Sequence, residues 1–237
     1  MKRIIFGMAS MLWAGLLAAG AQNSPPPYSP PQYYYTLPPG SGLYLRAGAG
    51  PSFYQNGRLT QFGGGPYPEG PGAPVKYQTG VDANVAVGWA FNRFISADFE
   101  TGFQGTRLDS VPGYYFEYHR SDVYDIPFLA NAILSFPIPH TIVTPYIGAG
   151  AGGADTYFDA HGFGDNTVAT YGTDNDVEFA WQAMAGLRFR LAPNITLGLG
   201  YRYFTTADTT YNYAPVNVGF DGVRTHSVLF TFEWKFW

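Results

Sequence analysis

The chain has 237 residues, 46% of them hydrophobic and only 13% charged, where an ordinary soluble domain carries about 25% charge. With no cysteine there is no disulfide framework, thiolate metal site, cysteine nucleophile or lipoprotein acylation site. A net charge of −4 gives no electrostatic case for nucleic-acid binding, while 30 glycines, 19 prolines, 19 tyrosines and 19 phenylalanines favour strands over long helices.

Lys2 and Arg3 precede an apolar run from Ile4 to Leu17 and the small residues Ala18, Ala19, Gly20 and Ala21. That order predicts a secretory signal peptide over 1–21, cleaved before Gln22; the run is short for the ~20 residues of a spanning helix. Removing Lys2 and Arg3 from the 13 basic residues leaves 11 against 17 acids. Residues 22–41 (QNSPPPYSPPQYYYTLPPGS) are a Pro/Tyr-rich stretch. Consecutive prolines lack amide donors and hold an extended φ, so a disordered linker is expected there.

From 42 to 237 apolar and polar or small residues alternate with period two, the pattern of strands with unlike faces. The first segment lies near 43–50. The second sets Val81, Ala83, Val85, Val87, Trp89 and Phe91 against Asp82, Asn84, Ala86, Gly88 and Ala90. The third sets Ile95, Ala97, Phe99 and Phe103 against Ser96, Asp98, Glu100, Gly102 and Gln104. The fourth (123–136) and fifth (142–153) alternate less cleanly. The sixth sets Phe179, Trp181, Ala183, Leu187 and Phe189 against Gln182, Gly186, Arg188 and Arg190. The seventh sets Ile195, Leu197, Leu199, Tyr201 and Tyr203 against Thr196, Gly198, Gly200 and Arg202. The eighth sets Val228, Phe230, Phe232, Trp234 and Phe236 against Thr231, Glu233 and Lys235. Connections near 92–93, 137–141 and 191–194 are short, and those near 51–78, 105–122, 154–177 and 205–225 are long. Strict alternation of long and short predicts an all-β, eight-stranded antiparallel up-and-down transmembrane β-barrel over 42–237, with both termini on the short-turn side.

A soluble barrel has the same binary pattern with its apolar face inward, so the outer face needs a separate argument. A surface with 13% charge is too poor in charge for water. Gly148, Gly150 and Gly152 crowd one face, where an interior packed with side chains needs room. The other face ends in Trp89, Phe91, Tyr201, Tyr203 and Trp234, which read as aromatic girdles. The apolar face is therefore expected to meet lipid.

Thr144-Pro145-Tyr146-Ile147-Gly148-Ala149-Gly150-Ala151-Gly152 resembles the fifth-strand motif of the outer-membrane protein β-barrel family, the OmpA/OmpX-like eight-stranded barrels. Ala185-Gly186-Leu187-Arg188-Phe189, followed by Leu197–Tyr203, is similar to its sixth and seventh strands, and Ile126–Asn131 to its fourth. The resemblance implies residence in the outer membrane of a diderm bacterium and insertion by the barrel-assembly machinery. The assembly signal it implies is Phe232, Trp234 and Phe236 in phase on the lipid face, with Trp237 one residue out. No periplasmic peptidoglycan-binding domain is expected.

An eight-stranded barrel is only wide enough for side chains to fill it. Parity places Arg46, Arg188, Arg190, Arg202 and Lys235 inside with Asp82, Asp98, Glu100 and Glu233, a nearly balanced ion network expected to block the lumen. The third long connection, with the residue after it, carries Asp155, Asp159, Asp165, Asp174, Asp176 and Glu178 and no Lys or Arg. Asp174 and Asp176 are candidate ligands there for Ca²⁺ or Mg²⁺. His119, His140, His161 and His226 have no metal-ligand spacing. His226-Ser227 invites a lipid-A enzyme reading, but neighbouring strand residues face opposite ways and no third group orients the histidine. The expectation is a monomeric outer-membrane protein without cofactor or nucleic-acid partner, not an enzyme, meeting lipid and lipopolysaccharide and acting structurally or through its outer loops. A narrow porin-like channel is the alternative, and a lipid-A modifying enzyme the second.

Overall fold

A computed structural model describes residues 40–63, 74–111, 121–164, 169–213 and 216–236 of the chain. The signal peptide, nearly all of the Pro/Tyr-rich linker, His119, Asp165 and Trp237 lie outside these residues. The described residues form twelve strands: β1 (Gly42–Tyr54), β2 (Gly57–Gly63), β3 (Pro74–Tyr77), β4 (Thr79–Ala90), β5 (Ile95–Ser110), β6 (Asp122–Ser135), β7 (Val143–Gly164), β8 (Ala169–Ala192), β9 (Ile195–Thr206), β10 (Thr209–Tyr213), β11 (Val216–Phe220) and β12 (Arg224–Lys235).

Eight of them make a closed ring in the order β5-β4-β1-β12-β9-β8-β7-β6, with β6 pairing back onto β5. Every pair in the ring is antiparallel. Closure leaves no free edge, so the backbone polar groups are satisfied along the ladders, as hydrocarbon requires. These eight are the eight alternating segments of the sequence.

The two faces separate as the alternation demands. On β4, Val81, Val85 and Val87 are half exposed, while Asp82, Asn84 and Ala86 beside them are buried in the lumen. The same outward belt carries Phe99, Phe128, Ile147, Leu197 and Phe230. An apolar belt of this extent around a ring with a polar lumen is the arrangement of a membrane barrel. The inward glycines make space for aromatic rings: a Cβ at Gly88 would lie 2.5 Å from both Asp98 Cβ and Tyr44 Cζ.

Short turns close one end. In the β4–β5 turn, Asn92 Oδ1 accepts the backbone N–H groups of Phe94 and Ile95 at 2.7 and 2.9 Å. His140, in the β6–β7 turn, has a φ of 62°.

The other end differs from the expectation of four long loops. β7 and β8 run on for 22 and 24 residues and stay paired as far as Gly164 and Ala169. The first and fourth long connections contain strands of their own, β2, β3, β10 and β11. β3 pairs with the top of β5, β2 with β3, β11 with β2, and β10 with β11. These four strands therefore stand where β4, β1, β12 and β9 stop, and build a second tier on the first. The physical cause is a second alternation whose chemistry is reversed. On β7 the inward residues change from Gly148, Gly150 and Gly152 to Phe158 and Ala160, while the outward ones change from Ile147 and Ala149 to Asp155 and Asp159. Phe158, Leu59, Leu108, Val123, Tyr211 and Val218 pack in one buried apolar cluster. The lower tier is dressed for lipid, the upper one for water.

Candidate functional site

The lumen of the lower tier is filled by a charged network. Arg46 on β1 lies 3.0 Å from Asp98 and 2.9 Å from Glu100, both on β5. Arg202 on β9 lies 3.3 Å from Asp82 on β4 and 3.2 Å from Glu100. Because β9 is four places from β5 in a ring of eight, the Arg202–Glu100 contact spans the lumen. Asn131 on β6 donates to Asp98 at 2.7 Å, Gln182 on β8 to Asn131 Oδ1 at 2.7 Å and to Glu100 at 3.2 Å, and the Tyr44 hydroxyl to Asp98 at 2.8 Å. Charge-assisted bonds between dry groups are the strong kind. The cavity beside Arg46, Glu100 and Arg202 has about 20 Å³, room for about one water. Above the network, Thr225 on β12 donates to Gln104 on β5 at 2.9 Å, again across the lumen.

The nine ion-network residues read from sequence fall into two groups. Arg46, Asp82, Asp98, Glu100 and Arg202 are brought together in the buried centre. Arg188, Arg190, Glu233 and Lys235 lie near the short-turn rim. There Arg188 and Glu233 stand 3.8 Å apart, Arg190 is exposed, and Lys235 donates to the Gly40 carbonyl. Parity identifies the face of a residue but not its depth, so the rim cations do not neutralise the centre. Sequence reasoning also missed Asp125 on β6, register-paired with Gln104 and Thr156 and 0% exposed. Neither of its carboxylate oxygens completes a hydrogen bond. Counting from Asn131 in steps of two would have placed Asp125 on the lumen face. Among the described residues the buried lumen thus holds Asp82, Asp98, Glu100 and Asp125 against Arg46 and Arg202 only.

Asp155, Asp159, Asp174, Asp176 and Glu178 of the third long connection are strand residues. Asp155 accepts from the Tyr157 hydroxyl and from Asn175 Nδ2, each at 2.7 Å, and Asp159 accepts from Thr173 at 3.0 Å. Asp174 and Asp176 accept the backbone N–H groups of Asn212 and Thr210, at 2.5 and 3.2 Å, and so bridge β8 to β10. A backbone donor of the upper tier thereby engages one oxygen of each candidate cation ligand. Among the described residues no three His, Asp or Glu side chains converge to hold a metal ion. In the same tier Tyr213 donates to the Phe158 carbonyl, and burial pushes its phenol above the usual range.

His226 and Ser227 face opposite ways. The imidazole is on the outer surface between Gln55 Nε2 and the Tyr201 hydroxyl, both at 2.5 Å, while Ser227 is fully buried in the lumen. Phe232, Trp234 and Phe236 lie on the lipid face, each more than two-fifths exposed.

The outer membrane protein beta-barrel domain family matches residues 14–236, and the chain belongs to that family. No curated protein sequence matches it. Among solved structures it is similar to the outer membrane protein OprG from Pseudomonas aeruginosa, with a TM-score of 0.55 and 11% identity over 84% of this chain and 99% of that one. It is also similar to Neisserial surface protein A, with a TM-score of 0.49 and 18% identity over 83% of this chain and 99% of that one. At 11% identity the likeness to OprG speaks for the fold alone.

Proposed function

We propose that this outer-membrane barrel is closed to solutes and meets its partners through the upper tier, in a structural or surface-interaction role. The Arg202–Glu100 contact across the lumen carries the reading, because it joins opposite walls of the ring through buried side chains. The apolar cluster around Phe158 lies above it as a second barrier. Water and ions would have to pass both, and neither offers an aligned polar path. The tier's outer surface, with Asp122, Asp155, Asp159 and Tyr157, is polar enough to face water and lipopolysaccharide. In this reading the chain reaches the outer membrane through a cleaved signal peptide, is inserted by the barrel-assembly machinery and works as a monomer. The separation of His226 from Ser227 supports a non-enzymatic role.

Liposome swelling tests the reading. Vesicles holding the folded protein are expected to swell in glycine no faster than empty ones. Faster swelling would assign the chain to the narrow channels instead.

A further inference from the structure

At the short-turn end a recess of about 70 Å³ opens into the barrel. Its wall brings together four cations, Arg93, Arg188, Arg190 and Lys235, and one acid, Glu233. In a chain of net charge −4 this is a local excess of positive charge, and the ladders explain how it forms. Glu233 on β12 and Arg190 on β8 both pair with Thr196 on β9, so they flank it in one row, and Arg188 lies two residues along β8 on the same face. Lys235 follows Glu233 by two on β12, and Arg93 is supplied by the β4–β5 turn.

Arg188 is held ready. Its guanidinium lies 4.6 Å over the Tyr146 ring, and Nη1 points to Ser135 Oγ at 3.4 Å. Nη2 is buried without a hydrogen-bond partner, and Glu233, at 3.8 Å, neutralises part of its charge without closing a hydrogen bond. Among the described residues no carboxylate pairs with Arg190 or Arg93. Lys235 spends one donor on Gly40 and keeps two. A fixed guanidinium, an exposed guanidinium and an ammonium around a small polar recess match the charge of an oxyanion.

We propose that this recess binds an oxyanion, a carboxylate or phosphate group presented from the periplasmic side. The site stands apart from the closed lumen above it and needs no passage through the barrel. The anion offsets the surplus of cations that Glu233 alone leaves.

Calorimetry on the full chain folded in maltoside detergent tests this with three probes: inorganic phosphate, succinate and a short-chain phosphatidylglycerol. The variant Arg190→Ala with Lys235→Ala removes two rim cations whose side chains bridge no part of the core, and its heat-dependent gel migration confirms folding. Saturable binding of at least one probe, about tenfold weaker in the variant, is the expected result. Binding of phosphate or succinate would identify a free anion as the source; binding of phosphatidylglycerol alone would identify a lipid headgroup. No saturable binding by any probe, or equal affinity in the variant, would overturn the site.

Discussion

Arg202 reaches Glu100 from the diametrically opposite strand, Nη1 to Oε1 at 3.2 Å, while its other contact, Asp82, stands beside Glu100's own strand on β4. One side chain thus ties three strands through the middle of the barrel. Arg202→Met removes the cation and leaves two buried carboxylates without it, a loss expected at about 3–5 kcal/mol. Urea unfolding of the protein in lipid vesicles measures it, and an unchanged midpoint would mean that the contact holds nothing.

Asp125 should respond in the opposite sense. Its carboxylate is buried with no hydrogen bond to either oxygen and sits in a lumen with two more acids than bases. Asp125→Asn replaces a buried carboxyl that completes no hydrogen bond by a neutral amide of nearly the same volume, so the unfolding midpoint is expected to stay or rise. A clear fall in the same urea assay would show that the charge has a partner.

Asp174 and Asp176 hold β10 against β8 by accepting the Asn212 and Thr210 amides. Replacing both by Ala should raise hydrogen exchange at those two amides by severalfold or more and leave the lower ladders protected. Exchange measured by mass spectrometry decides; unchanged protection at Thr210 and Asn212 would refute the bridging role.

Gly88 faces the Tyr44 ring and Asp98, with no room for a methyl group. Gly88→Ala is expected to cost about 1–3 kcal/mol through overpacking. Gly153, where an added Cβ would meet nothing closer than 3.6 Å, is the control and should tolerate Ala. Equal stability of the two variants would contradict the packing.

Phe230 is 67% exposed at the centre of β12, on the lipid face. Phe230→Arg places a charge near the bilayer midplane and is expected to cost about 2–4 kcal/mol. Folding into vesicles as well as the unmodified chain would mean that this face does not meet hydrocarbon.

The lower tier was legible because lipid outside and a filled lumen inside impose opposite chemistry on alternate residues, as Val81 and Asp82 show. The upper tier was not, because its alternation reverses in polarity: Phe158 and Ala160 continue the lumen face of Gly150 and Gly152, so a reader following apolar residues loses the strand there. Glu100, Arg46 and Arg202 could be placed inside by parity alone. Which of them met, and that Arg190 and Lys235 stay at the rim, depended on the stagger between strands and on depth, neither of which is written in one strand's pattern. The roles of Asp174 and Asp176 depended on β10, a strand hidden inside a presumed loop.

Single-channel recording in planar bilayers tests the sealed lumen most directly. The protein as it stands is predicted to give no steady conductance, whereas Arg46→Gly with Arg202→Gly, which removes both cations from the lumen, is predicted to leak. Steady conductance in the unmodified protein, altered when Glu100 or Arg202 is replaced, would show an open path through the barrel and contradict a closed one.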